Sequence, residues 1–236
     1  QVWNGTVFGD VGGQDKITAE NFTAQPNADG SITLGVANNR GKIAGSSDGI
    51  MMYYVQLPAG TTFKLSATAT VNSMAANNQV SFGLMARDDL YIDTYVAETM
   101  GDYVAAGTRN QGAFAGFGRK SGELYNAPAA TQVYAAGDTL KLEIVGSADG
   151  YTVTYGDNAP ASAGFDYPLT AVDSDYIYVG FYVSRNCNVT FRDIALEVTG
   201  SAAAGSAGGA GASAQAPAGP SLVEEAWTAV RGWIGI

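Results

Sequence analysis

The sequence predicts an all-β protein, an antiparallel β-sandwich. Three observations carry this: stretches in which apolar and polar residues alternate, turn signals between those stretches, and no helix-length periodicity before position 220. Alternation at period two puts one face of a strand on a core and the other in water.

Taken in order, the first strand is expected at 50–57. Phe63-Lys64-Leu65-Ser66-Ala67-Thr68-Ala69-Thr70-Val71 alternates throughout, with Phe63, Leu65, Ala67, Ala69 and Val71 inward. Further strands are expected at 79–86, 91–97, 102–106, 112–117 and 139–145, and Tyr151-Thr152-Val153-Thr154-Tyr155 alternates again. Tyr176 to Val183 is apolar on both faces and reads as a central strand. In the last strand Val189 and Phe191 share one parity while Ile194, Leu196 and Val198 share the other, so a bulge is expected near Arg192-Asp193. Turns are expected at Ala28-Asp29-Gly30, Ser47-Asp48-Gly49, Pro58-Ala59-Gly60, Ala136-Gly137-Asp138 and Ala148-Asp149-Gly150.

The composition fits this class and narrows the function. The chain has 13 Tyr and 31 Gly, as expected of strands and turns, and 46% hydrophobic residues, enough for a sizeable core. Its 22 Asp and Glu against 12 Lys and Arg give a net charge of −10, which argues against nucleic acid or an anionic membrane as partner. No apolar run is long enough to span a bilayer. The absence of His excludes Ser-His-Asp and Cys-His catalysis and His-ligated metals. The single Cys187 excludes an intrachain disulfide and is expected to be a small buried thiol. The chain starts at Gln1, which suggests a processed N-terminus and an extracellular or cell-surface protein.

Several stretches resemble the concanavalin A-like, jelly-roll modules appended to secreted bacterial polysaccharide lyases and glycosidases. They are Gly41 to Gly49, Phe82-Gly83-Leu84-Met85-Ala86-Arg87-Asp88-Asp89, Val179 to Arg185, and Val189 to Ile194. The resemblance covers residues 1–199 and implies a jelly roll of the glycan-binding or structural-spacer kind.

Candidate binding residues follow from that frame. Arg87, Asp88 and Asp89 end one strand, and Tyr91, Asp93 and Tyr95 alternate on the next, so carboxylates, a guanidinium and aromatic rings are expected on one exposed surface. Sugars are held by such sets: rings stack on C–H faces while carboxylate and Arg take the hydroxyls. Arg119 and Tyr125 are expected to join them. The alternative is that Arg87 and Asp88 form an internal ion pair closing a strand end. The acidic balance also accommodates one structural Ca2+, with Asp10, Asp15, Asp88, Asp89, Asp93, Asp102, Asp173 and Asp175 in loop-like places and no ligand set chosen among them. Catalysis is not expected. The Glu-x-Asp-x-x-Glu motif of laminarinase-type jelly-roll glycosidases is absent, and no array of Lys, Arg and Tyr marks a lyase.

Residues 200–219, rich in Gly, Ala and Ser, read as a flexible linker with an rms span of roughly 25 Å. Residues 220–236 read as an amphipathic helix. Ser221 and Glu224 form a capping box, and Leu222, Val223, Ala226, Trp227, Val230, Trp233 and Ile234 form one apolar stripe. A helix of about fourteen residues is marginal alone in water, so it is expected to dock on a protein partner or a neighbouring copy. Two functions are thus expected: a glycan-binding module attached through this helix, or a structural subunit of an extracellular filament, sheath or surface layer whose tail docks onto the next copy.

Overall fold

A computed structural model describes residues 1–76, 79–99, 101–110, 114–127 and 129–200. It is a sandwich of two sheets. The larger has nine strands, in the order β11 (Glu123–Asn126), β10 (Phe117–Lys120), β9 (Tyr103–Thr108), β7 (Ser81–Arg87), β14 (Tyr176–Ser184), β5 (Asp48–Pro58), β1 (Asn4–Gly9) and β8 (Thr94–Tyr95), with β4 (Lys42–Ile43) also on β5. The smaller has six: β13 (Gly150–Tyr155), β12 (Thr139–Ser147), β6 (Thr62–Met74), β15 (Cys187–Gly200), β3 (Ile32–Val36) and β2 (Phe22–Pro26). Among the described residues every strand pairing is antiparallel except β1 with β8.

The alternation in β6 does what its pattern requires. Phe63, Leu65, Ala69 and Val71 are buried between the sheets, while Lys64, Ser66, Thr68 and Thr70 face outward. Opposite them stand Phe82, Leu84, Val179, Phe181 and Val183 of the larger sheet, all fully buried. Phe181 lies 4.6 Å from Phe191 across the core, and Trp3 stacks on Phe181 and Tyr53 at the sandwich mouth. Each such side chain contributes about 1.5–3 kcal/mol on burial. Cys187 is buried, as expected, and burial pushes its thiol up to about 12. The bulge is where the parity change puts it: the β15–β6 register shifts between Arg192 and Ala195, with Asp193 in the left-handed region at φ 52°.

Three local expectations need correction. Ser47-Asp48-Gly49 is not a free turn, because Asp48 opens β5 and is buried. The alternation at 91–97 forms no strand beyond Thr94–Tyr95, where the segment adds a short parallel edge to β1. The strand expected at 112–117 begins only at Phe117 among the described residues. The sequence reading passed over β1, β2, β3, β4 and β11. The linker at 200–219 beyond Gly200, and the helix with Leu222, Val223, Ala226, Trp227, Val230, Trp233 and Ile234, lie outside the described residues.

The larger sheet has a second apolar layer on its outer face. Phe8, Ile43, Ile50, Met52, Tyr54, Met85, Tyr103, Ala105, Phe117 and Tyr182 are buried there. The roof is partly the 88–99 segment, held to β1 where Thr6 Oγ1 donates to the Tyr91 carbonyl (2.6 Å), Asp93 N donates to Thr6 Oγ1 (3.0 Å) and Val96 N donates to the Gly9 carbonyl (3.2 Å). Gly83 and Gly107 face each other in register and leave room for Tyr182, whose hydroxyl donates to the Thr108 carbonyl at 2.9 Å.

Candidate functional site

One row of outer-face residues runs across the larger sheet. The registers place Arg119 beside Tyr103, Tyr103 beside Arg87, and Arg87 beside Tyr178. Two guanidiniums thus enter the space under the roof, and two carboxylates meet them. Asp48 takes Arg119 through Nη2 on Oδ1 at 2.9 Å and Nε on Oδ2 at 3.2 Å, and also accepts the Tyr103 hydroxyl at 3.0 Å. Asp89 takes Arg87, with Nε donating to Oδ1 at 2.8 Å and Nη2 standing 2.7 Å from the same oxygen. Arg87 Nη2 is also 4.0 Å from Asp48 Oδ2, which links the pairs. Arg119 donates further to the carbonyls of Ala44, Gly45 and Gly122. Arg87 lies over the rings of Phe8 (4.8 Å) and Tyr103 (5.1 Å).

All four charged residues are buried, so the expected exposed patch is instead an internal neutral cluster. Its form also differs from the expected alternative, because Arg87 pairs with Asp89 and Asp48 and not with Asp88. Burial raises Asp48 above the ordinary carboxylate value against the pull of Arg87 and Arg119. Burial opposes the charge of Arg87 as well, but Asp89 and Asp48 outweigh it and hold the guanidinium above its usual range.

Asp88 is buried apart from the cluster. Its Oδ1 accepts Asp102 N at 2.8 Å and its Oδ2 accepts Ala171 N at 2.6 Å and Val172 N at 3.2 Å, which ties the ends of three segments together. Burial, then the charge of Asp89, pushes its carboxyl up to about 6, and the three backbone N–H groups only partly oppose this. A carboxyl raised on folding stabilises the native state most when it is protonated. Its contribution is full below the unfolded value near 3.8 and is lost as pH rises through about 6. Thermal melts at pH 5 and pH 7 are expected to show a lower Tm at the higher pH, and Asp88→Asn should shrink that difference. An unchanged difference would count against Asp88 as its source.

Of the remaining expected binding residues, Tyr91 is half-buried, its ring 5.8 Å from Phe8, and Tyr95 is exposed on β8. Asp93 does not join a sugar-facing row, since its carboxylate accepts Val7 N. Tyr125 is not brought to this face. It pairs with Gly118, packs on Phe165 and Tyr167 on the opposite side of the sheet, and shares a hydrogen bond with the Tyr167 hydroxyl.

Residues that the sequence reading missed complete the rim. Tyr178, half-buried, meets Tyr54 edge-on at 5.9 Å and donates to Asp173 Oδ2 at 2.9 Å. Asp89 acts electrostatically on Tyr91 and Tyr178, and burial first raises both hydroxyls. Among the described residues, Asp89 Oδ2 is a buried acceptor with no hydrogen-bond partner. A carboxylate oxygen left without a partner has the chemistry to accept a hydroxyl donor. Among the described residues, no three His, Cys, Asp or Glu side chains gather as a metal site, and no helix is long and apolar enough to cross a membrane.

Residues 3–94 match the pectate disaccharide-lyase N-terminal domain, a stretch that contains Asp48, Arg87, Asp89 and Tyr91. The chain is 32% identical over 193 residues to pectate lyase L of Thermoclostridium stercorarium, covering 81% of this chain and 14% of that protein. It is 26% identical over 250 aligned positions to the pectate disaccharide-lyase of Dickeya chrysanthemi, covering 83% of this chain and 33% of that protein. Among solved structures, carbohydrate-binding module CBM66 of Bacillus subtilis overlays with a TM-score of 0.46 at 12% identity, over 75% of this chain and 92% of that one. The chain therefore spans only a seventh to a third of the curated relatives it matches. Those relatives are named as enzymes, which overturns the expectation that this is not an enzyme. That expectation rested on the missing glycosidase carboxylate motif and on finding no lyase array of Lys, Arg and Tyr in the sequence of this one sandwich. The chain is similar, then, to the N-terminal domain of pectate disaccharide-lyases and to part of two pectate-cleaving enzymes, and it is a carbohydrate-related β-sandwich.

Proposed function

We propose that this chain is the polysaccharide-recognising, jelly-roll sandwich of an extracellular pectate-lyase-type protein, and that it takes pectate chains at the rim formed by Asp89, Tyr91 and Tyr178. The observation that carries the reading is Asp89 Oδ2, a buried carboxylate oxygen without a partner among the described residues, inside the stretch that matches the lyase N-terminal domain. The roles follow from the chemistry. Arg87 fixes Asp89 through Oδ1, leaving Oδ2 for a sugar hydroxyl, and it neutralises the carboxylate so that a uronate is not repelled. The half-buried Tyr91 and Tyr178 rings supply faces for sugar C–H groups, rigid and cheap to order. Tyr95, exposed on β8, extends the platform.

The experiment is affinity electrophoresis of the full chain in gels containing polygalacturonate. Wild type should be retarded. Tyr91→Ala should lose about tenfold in affinity, about 1.4 kcal/mol, with an unchanged melting temperature within a few degrees. Equal retardation of the variant and wild type would remove Tyr91 from the site.

A further inference from the structure

We infer that the chain carries a second saccharide site on the other sheet, in the amide-lined cleft at one end of β3, β6 and β15. The cleft has a volume of about 540 Å³ and is lined by Asn21, Thr23, Gly35, Asn38, Ser73, Asn186 and Asn188 over a floor of Val36, Met74 and Cys187. That volume is in the range of small-ligand sites, and an apolar floor with a few fixed polar groups is their usual make-up.

The amides are held in place by bonds that leave specific atoms for a ligand. A register shift at Asn188/Val189 makes Asn72 an extra residue on β6. Asn72 Nδ2 donates to Asn188 Oδ1 at 2.7 Å and to Thr190 Oγ1 at 2.8 Å, so the Asn188 amide is oriented by its oxygen. Its Nδ2 has no hydrogen-bond partner among the described residues. That nitrogen lies over Gly35, where an added Cβ would come within 2.8 Å of it. On the opposite wall Asn38 Nδ2 donates to Asn21 Oδ1 (2.8 Å) and Asn21 Nδ2 donates to the Lys16 carbonyl (2.8 Å), leaving Asn38 Oδ1 as an acceptor. Asn186 bonds Asn39 through both its amide oxygen and its amide nitrogen, which ties the Asn38–Asn39 turn to the bend at Arg185–Asn186. The cleft therefore offers one fixed donor, one fixed acceptor and the Ser73 hydroxyl, which is either. A pair of sugar hydroxyls presents the complementary set. Orientation is already set in the free protein, which lowers the entropic cost of binding. No lining residue is charged, so the site admits neutral and acidic sugars alike, even on a chain of net charge −10.

This site is on the sheet opposite the Asp89–Tyr91 rim and stands on its own geometry, so the two fail separately. The test is two-dimensional amide NMR of the full chain during titration with trigalacturonate and, in parallel, with neutral galactotriose. At least one sugar is expected to shift the Asn188 and Asn38 side-chain amides and the Gly35 backbone amide saturably, whether or not the Tyr91 amide responds. Asn188→Ala should weaken the affinity read at Gly35 and Asn38 at least tenfold. Gly35→Ala, which pushes the Asn188 amide aside from a backbone position that Ala accepts, should do the same and covers the case of a poorly folded Asn188→Ala. Silence at all these signals with both sugars, or equal affinity in both variants, would overturn the inference.

Discussion

Asp48→Ala is expected to destabilise the protein by about 3–5 kcal/mol, the usual cost of removing one partner from a buried ion pair. Asp48 is the residue on which the two guanidiniums converge, with Arg119 at 2.9 Å and Arg87 at 4.0 Å. The cluster is neutral only as a set of four, so the substitution leaves one positive charge uncompensated under the roof, and it strips the Tyr103 hydroxyl of its acceptor. Against a total stability of roughly 5–15 kcal/mol for a folded domain, that loss is a large fraction. Urea unfolding should show a lower midpoint with an unchanged slope. Adding Arg119→Met in the same chain should recover part of the loss by removing the orphaned charge. A loss below about 1 kcal/mol would mean that water reaches the cluster and that it is not the internal pin described above.

Gly107→Val should be nearly as damaging, by about 3 kcal/mol, the upper end for overpacking. A Cβ there would meet the Phe82 carbonyl oxygen at 2.3 Å and Gly83 Cα at 2.7 Å. Both are backbone atoms of the neighbouring strand and give way only if β7 and β9 separate. The same Cβ would stand 2.8 Å from the Tyr182 hydroxyl and displace its bond to Thr108. The readout is the thermal melt together with near-UV circular dichroism of the tyrosines. A variant that melts with wild type would show that the two strands can part without cost.

The fold was legible where one face met core and the other water. Strands β6, β12 and β13 carry that signature and stand where they were expected, and the parity change in β15 located its bulge. On the larger sheet β5, β7, β9 and β14 were expected near where they stand, but which face each side chain meets was not legible, because that sheet is covered on both faces. Residues 91–97 alternate, yet they form a segment running along the edge of β1 that pairs only at Thr94–Tyr95, with Tyr91 turned onto Phe8 and Asp93 onto Val7 N. Arg87, Asp89 and Arg119 were identified as chemically special and placed in water, whereas they are among the most deeply buried side chains. Charge in a sequence reads as surface because burial is permitted only when a partner is supplied, and the partner, Asp48, lies far along the chain in what read as a turn. Tyr178 was hidden for a related reason: a strand apolar on both faces does not say which ring reaches a rim.

The central claim is that the sandwich recognises pectate at the Asp89 rim. Isothermal titration calorimetry of the full chain with polygalacturonate tests it most directly, comparing wild type with Asp89→Asn. Saturable heat with a dissociation constant below about 1 mM, weakened at least tenfold in Asp89→Asn, is the expected result. No saturable heat, or the same isotherm for both proteins, would contradict it.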